Sequence, residues 1–141
     1  MNVLVDTSVW SLALRRKSHE LSIDEAGIAA ELKELITGGR ARLIGMVRQE
    51  LLSGIKTQEQ YERLRKTLRA YQDEPVGIED YEIAAKVHNQ CRSKGVLGST
   101  VDFLICAIAM RREWAILSTD PDFGRYAKVL PLTLLRTPPR D

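Results

Sequence analysis

VLVDTSVW, residues 3–10, is the stretch on which the fold turns. Val3, Leu4 and Val5 form an unbroken apolar run, the pattern of a short strand buried on both faces. Asp6 ends the run, and the residues from about Thr7 to Arg16 read as a helix. A buried strand that passes at once into a helix is half of a β–α unit.

Outward from that unit the alternation continues. Helical spacing covers about Ile23 to Ile36 and is closed by Gly38 and Gly39. A second strand is expected near Ala41 to Ile44, then helices over Val47 to Ile55 and Gln58 to Tyr71. Val76 marks a short third strand. A helix from Glu79 to Lys94 ends at Gly95, and Thr100 to Arg112 is a strongly apolar helix. Ala115 to Leu117 and Val129 to Leu132 read as the fourth and fifth strands. This order predicts an α/β fold with a central parallel sheet and right-handed connections. In such sheets ligands sit beyond the carboxyl ends of the strands, where strand order reverses.

The 141 residues suit one domain, and no repeat or low-complexity linker divides them. The tail around Pro138 and Pro139 reads as frayed. A hydrophobic content of 44% excludes a disordered chain, and a net charge of +2 excludes an extended basic tail. Cys91 and Cys106 lie far from any Cys or His at metal-ligand spacing, and Cys106 falls in the apolar run FLICAIAM. The start MNVLVDTSVW lacks a basic stretch followed by a long apolar one, so a cytoplasmic location is expected. The longest apolar run, Phe103 to Met110, is well short of the roughly 18 residues of a membrane span.

Carboxylates stand at the expected strand ends. Asp6 follows the first strand, and Asp120 and Asp122 follow the fourth in LSTDPDF. Each has a plain alternative: Asp6 as a helix cap, DPDF as a turn. Asp102 is harder to explain structurally. It opens a helix that is apolar on nearly every side, and no Lys or Arg lies one turn away. The helix dipole favours its charge by only about 0.3–1 kcal/mol, against several kcal/mol to bury an unpaired ion. A metal ion is the economical partner, with a distant Arg as the alternative. Glu50 sits beside the apolar stripe of MVRQELLSGI and, taken alone, reads as exposed. Taken together, such acids suit a hard cation that activates water against a phosphodiester.

These motifs resemble the PIN-domain family, specifically VapC-type toxins of toxin–antitoxin pairs. The resemblance rests on Asp6-Thr7-Ser8-Val9, Glu50-Leu51, Asp102 in GSTVDFLICAIA, and Asp120 and Asp122 in LSTDPDF, and it spans nearly the whole chain. It implies a three-layer α/β/α fold with a parallel sheet of about five strands ordered 3-2-1-4-5. It implies a Mg²⁺- or Mn²⁺-dependent endoribonuclease with Asp6, Glu50, Asp102 and Asp120 as catalytic metal ligands and Asp122 as a further acid. Thr7, Ser8 and Ser118 match hydroxyl positions that steady the cluster. Gly45-Met46 departs from the Ser or Thr that many members carry there, which bears on a helix cap. A VapB-type antitoxin and a homodimer are the implied protein partners, and RNA the implied substrate.

Other readings fit less well. A dehalogenase-type phosphatase needs a second Asp where Ser8 stands, a P-loop nucleotidase needs G-x-x-x-x-G-K-S/T, and a receiver domain needs paired acids after the first strand. The remaining rival is a PIN fold without catalysis that binds RNA or protein. Basic residues at Arg15-Arg16-Lys17, at Arg63, Arg65, Lys66 and Arg69, and at Arg111-Arg112 read mainly as solvated helix faces. Tyr61, Leu64, Leu68 and Tyr71 form an apolar stripe, expected to line an antitoxin groove with Leu51, Leu52 and Ile55 and with Trp10, Leu12, Ala13 and Leu14. The helix from Glu79 to Lys94 is the expected dimer surface.

Overall fold

Val3–Val5 forms strand β1, fully buried as its unbroken apolar run requires. In the computed structural model, which describes residues 1–136, β1 is the centre of a parallel sheet. Strand β2 (Ala41–Arg42) pairs with it on one side and β3 (Ala115–Leu117) on the other. Helices alternate with these strands: α1 (Thr7–Leu14), α2 (Ile23–Thr37), α3 (Gly45–Leu52), α4 (Gln58–Leu68), α5 (Ile78–Ser93), α6 (Thr100–Arg112) and α7 (Asp122–Tyr126).

The sheet extends outward by single bridges. Leu43 pairs in parallel with Asp73, and Ile116 with Leu134. These two contacts give the order 3-2-1-4-5, with the outer members reduced to one residue each among the described residues. They also shift two sequence expectations. The third strand position falls at Asp73 rather than Val76, and the fifth at Leu134 rather than Val129 to Leu132. Leu130 is instead held by a turn that continues α7, its N–H donating to the Tyr126 carbonyl. Pro138 and Pro139 lie outside the described residues.

Local chemistry sets the helix ends. Ser22 and Glu25 form a reciprocal capping box at the start of α2. Gly54, at φ +81°, follows the end of α3 at Ser53 and stops it short of the expected Ile55. At its start α3 has no side-chain cap. Asp73 stands there instead, its Oδ2 3.4 Å from where a Cβ on Gly45 would lie, and Arg48 binds its Oδ1 at 2.9 Å. Arg48 also donates to the carbonyls of Leu68 and Tyr71, tying α3 to the end of α4.

The core lies between the sheet and its helices. Phe103 to Ala109 are buried without a break, so α6 is enclosed on all sides, as its composition demands. Burial of each large apolar side chain contributes roughly 1.5–3 kcal/mol. Both cysteines are buried free thiols. Leu64 and Leu68 are also core residues, and Tyr71 packs its ring on buried Trp10 at 5.2 Å. The stripe on α4 therefore faces inward, and Leu64 and Leu68 do not line a groove. Leu52 and Tyr61 remain at the surface, beside a shallow cleft with Arg48, Gln49 and Ser53.

Candidate metal centre

Parallel pairing of β1 and β3 places their carboxyl ends side by side. Val5 lies opposite Leu117, and the Asp6 N–H donates to the Leu117 carbonyl at 2.9 Å. The residues that follow each strand therefore meet. The Ser118 hydroxyl donates to Asp6 Oδ2 at 2.8 Å and accepts the Asp120 N–H at 3.0 Å. The Ser8 hydroxyl also donates to Asp6 Oδ2 at 2.8 Å and accepts the Thr119 N–H at 3.0 Å. A hydroxyl carries one proton, so the 3.3 Å approach of Ser8 Oγ to Ser118 Oγ is a contact between two groups already committed to Asp6. Asp6 is also the N-cap of α1, and its carboxylate is buried. The cap reading of Asp6 is thus correct and coexists with its place in the acidic site.

The other acids arrive from helices α3, α6 and α7 and from the turn that precedes α7. Asp102 occupies the first turn of α6, where its N–H donates to Ser99 Oγ at 3.0 Å. Asp120 Oδ1 accepts the Asp122 N–H at 2.9 Å, an Asx turn that opens α7. Carboxylate oxygens of Asp102, Asp120 and Asp122 lie within 4.8 Å of one another. Asp6 and Glu50 fall outside that tight group. Glu50 is exposed on α3, and the Thr7 hydroxyl donates to its Oε1 at 2.6 Å. Asp122 also forms a 3.0 Å ion pair with Arg125, one helical turn on.

A common pattern runs through four of these acids. The protein's own hydrogen bonds fix one named oxygen in each. Asp6 is held through Oδ2, Asp102 through Oδ2 by Tyr126, Asp120 through Oδ1 and Glu50 through Oε1. Burial raises the Asp102 pKa above its ordinary value. Hydrogen bonds from Tyr126 and Ser99 oppose that rise, and the charges of Asp6 and Asp120 add to it. Among the described residues no Lys or Arg pairs with Asp102, so the distant-Arg alternative finds no support there. An all-oxygen donor set whose like charges repel one another fits a hard divalent cation.

The basic residues are mostly committed elsewhere. Arg16 pairs with Glu25, Arg63 with Glu59 and Arg65 with Glu62. Arg111 and Arg112 both bind buried Asp80. Tyr126, Gly98 and Asp80 escaped sequence reasoning. The tyrosine's partner lies on another helix, 24 positions away, with no periodic signal to announce the contact.

The fold and this arrangement at the strand ends agree with the family comparison. A model of the PIN domain matches residues 3–129, most of the chain, and the chain belongs to the PIN-domain family. In structure it is similar to FitAcB from Neisseria gonorrhoeae, with a TM-score of 0.74, 19% identity, and coverage of 95% of this chain and 96% of that one. It is similar to VapBC2 from Rickettsia felis bound to a DNA fragment from its promoter, with a TM-score of 0.69, 15% identity, and coverage of 95% and 97%. It is also similar to VapBC-5 of Mycobacterium tuberculosis, a member of a family of toxin–antitoxin systems, with a TM-score of 0.65, 14% identity, and coverage of 97% and 100%. At these identities the likeness is one of fold. No curated protein matches the sequence.

Proposed function

We propose that this PIN-domain protein is a Mg²⁺- or Mn²⁺-dependent endoribonuclease and the toxin of a toxin–antitoxin pair. The observation that carries the reading is the convergence of Asp102, Asp120 and Asp122 within 4.8 Å, beside an Asp6 that two serines hold at the end of the central strand. Asp6, Glu50, Asp102 and Asp120 would hold the cation, with Asp122 in support. A divalent cation held there would supply activation of water and neutralisation of charge on the leaving 3′ oxygen of RNA. Ser8 and Ser118 fix the Asp6 carboxylate, and the hydroxyl of Thr7, next in sequence to Asp6, holds the exposed Glu50 side chain. Anchoring one oxygen of each acid orders the ligands before the cation arrives, which lowers the cost of assembling the site. The solved structures of similar fold include toxin–antitoxin complexes, which supports a VapB-type antitoxin as partner. Of the expected groove, exposed Ala13 and Tyr61 and partly exposed Leu14, Leu52, Ile55 and Tyr71 are still available to it. The exposed Ile78 and Tyr81, at the start of α5, support that helix as a homodimer surface.

The test is cleavage of a mixed RNA pool by purified protein. Activity should require Mg²⁺ or Mn²⁺ and vanish in excess EDTA, and Asp102→Asn should lower it at least a hundredfold. Full cutting in EDTA would overturn the metal reading. RNA binding without cutting under any metal would favour a non-catalytic binding module instead.

A further inference from the structure

Two residues outside the acidic set converge on Asp102. Tyr126, at the end of α7, is fully buried. Its ring tilts against Phe103 at 5.0 Å and meets Phe123 edge-on at 5.4 Å. Phe103 follows Asp102 directly and stacks on His88 at 4.7 Å, so this wall is itself fixed. On another side the ring lies against the backbone of Gly98. A Cβ at position 98 would stand 2.7 Å from Cζ and 2.8 Å from Cε1, and closer still to the hydroxyl oxygen. Real Cβ atoms essentially never approach within 3.0 Å. Position 98 is not in the left-handed region, so what it uses of glycine is the missing side chain rather than backbone freedom. The space so opened lets the Tyr126 hydroxyl donate to Asp102 Oδ2 at 2.7 Å. The next residue, Ser99, caps α6 through the Asp102 N–H. Two adjacent residues therefore control the backbone and, through Tyr126, the side chain of one acid.

We propose that Gly98 and Tyr126 are positioning residues of the metal centre: the glycine admits a tyrosine whose hydroxyl holds Asp102 Oδ2 and so fixes that carboxylate beside Asp120 and Asp122. This rests on the reading of Asp102 as a metal ligand. Groups that orient metal ligands typically change metal affinity about 10–100-fold when removed. Phenylalanine at position 126 would keep the ring packing and delete only the orienting donor.

The experiment is Mn²⁺ titration of the purified protein by calorimetry, alongside thermal melts without metal and RNA cutting at varied Mn²⁺. Tyr126→Phe should melt cooperatively and bind Mn²⁺ about tenfold more weakly. The Mn²⁺ concentration for half-maximal cutting should rise by the same factor, while the KM for RNA at saturating Mn²⁺ stays the same. A merely structural tyrosine would not separate these readouts. Gly98→Ala should also weaken Mn²⁺ binding and add little to Tyr126→Phe, because both act through one hydroxyl. Wild-type Mn²⁺ affinity in folded Tyr126→Phe overturns the inference alone, as does full additivity of the two substitutions. A wild-type protein that binds no Mn²⁺ overturns the metal reading beneath it as well.

Discussion

Asp102 shows why a single residue can be legible in one respect and opaque in another. Its charge stood out because α6 is apolar on every side, and desolvation of a carboxylate there demands compensation. Its hydrogen-bond partner did not stand out, because Tyr126 reaches it from α7, with the whole of β3 between them in sequence. Asp6 was legible from its place after a buried strand, whereas Glu50, exposed and beside the stripe of α3, was legible only through the family pattern. Burial and neighbouring charges disfavour ionised Asp102 in the metal-free protein. Asp102→Asn should therefore raise the melting temperature of the metal-free protein by a few degrees, even as it removes activity. A scanning calorimeter reads this directly, and a lower value would refute the repulsion argument. Asp120 and Asp122 should also differ. Asp120 has one oxygen anchored by backbone, while Asp122 is already partly neutralised by Arg125. Asp120→Asn should cost activity at least tenfold more than Asp122→Asn, measured as initial cleavage rates.

At the scale of elements, helices α5 and α6 are joined by a buried charge cluster that pattern alone did not reveal. Asp80 caps the start of α5 by accepting the Gly77 N–H, and it binds both Arg111 and Arg112 from the end of α6. In the sequence those arginines read as a solvated face, since the partner lies 31 and 32 positions earlier. Hydrogen bonds from Arg112 lead the causes that lower the Asp80 pKa to about 2 from 3.8. A depressed carboxylate contributes stability above its unfolded pKa and loses it as pH falls through the folded one. Asp80→Asn should thus cost on the order of 2 kcal/mol at pH 7, with the gap to wild type closing between about pH 4 and pH 2. Urea melts across that range provide the check, and a gap that persists at pH 2 would exclude the electrostatic cause. The bounds of α6 and β3 matched their sequence reading because composition marks both ends. The outer sheet members did not, since a one-residue bridge leaves no alternation to detect.

For the molecule as a whole, the inward turn of α4 redraws the surface available to a partner. Glu at Leu68 would bury a charge in the core and cost about 3–5 kcal/mol or more, reporting on folding rather than binding. Glu at exposed Tyr61 should change stability by less than about 1 kcal/mol. In a host cell, the Tyr61→Glu protein should remain toxic and be relieved less by co-expressed antitoxin. Unaltered relief would move the antitoxin away from this cleft. The pairing of Asp6 with Ser118 across 112 positions carries a different implication, one of timing. A growing chain makes Asp6 and Ser8 at once, but the second serine's hold on that acid waits until β3 has been synthesised and has docked beside β1. At translation rates of roughly 5–20 residues per second, that interval is on the order of ten seconds. Until then the nascent polypeptide carries no assembled centre, and chains that terminate before β3 never acquire one.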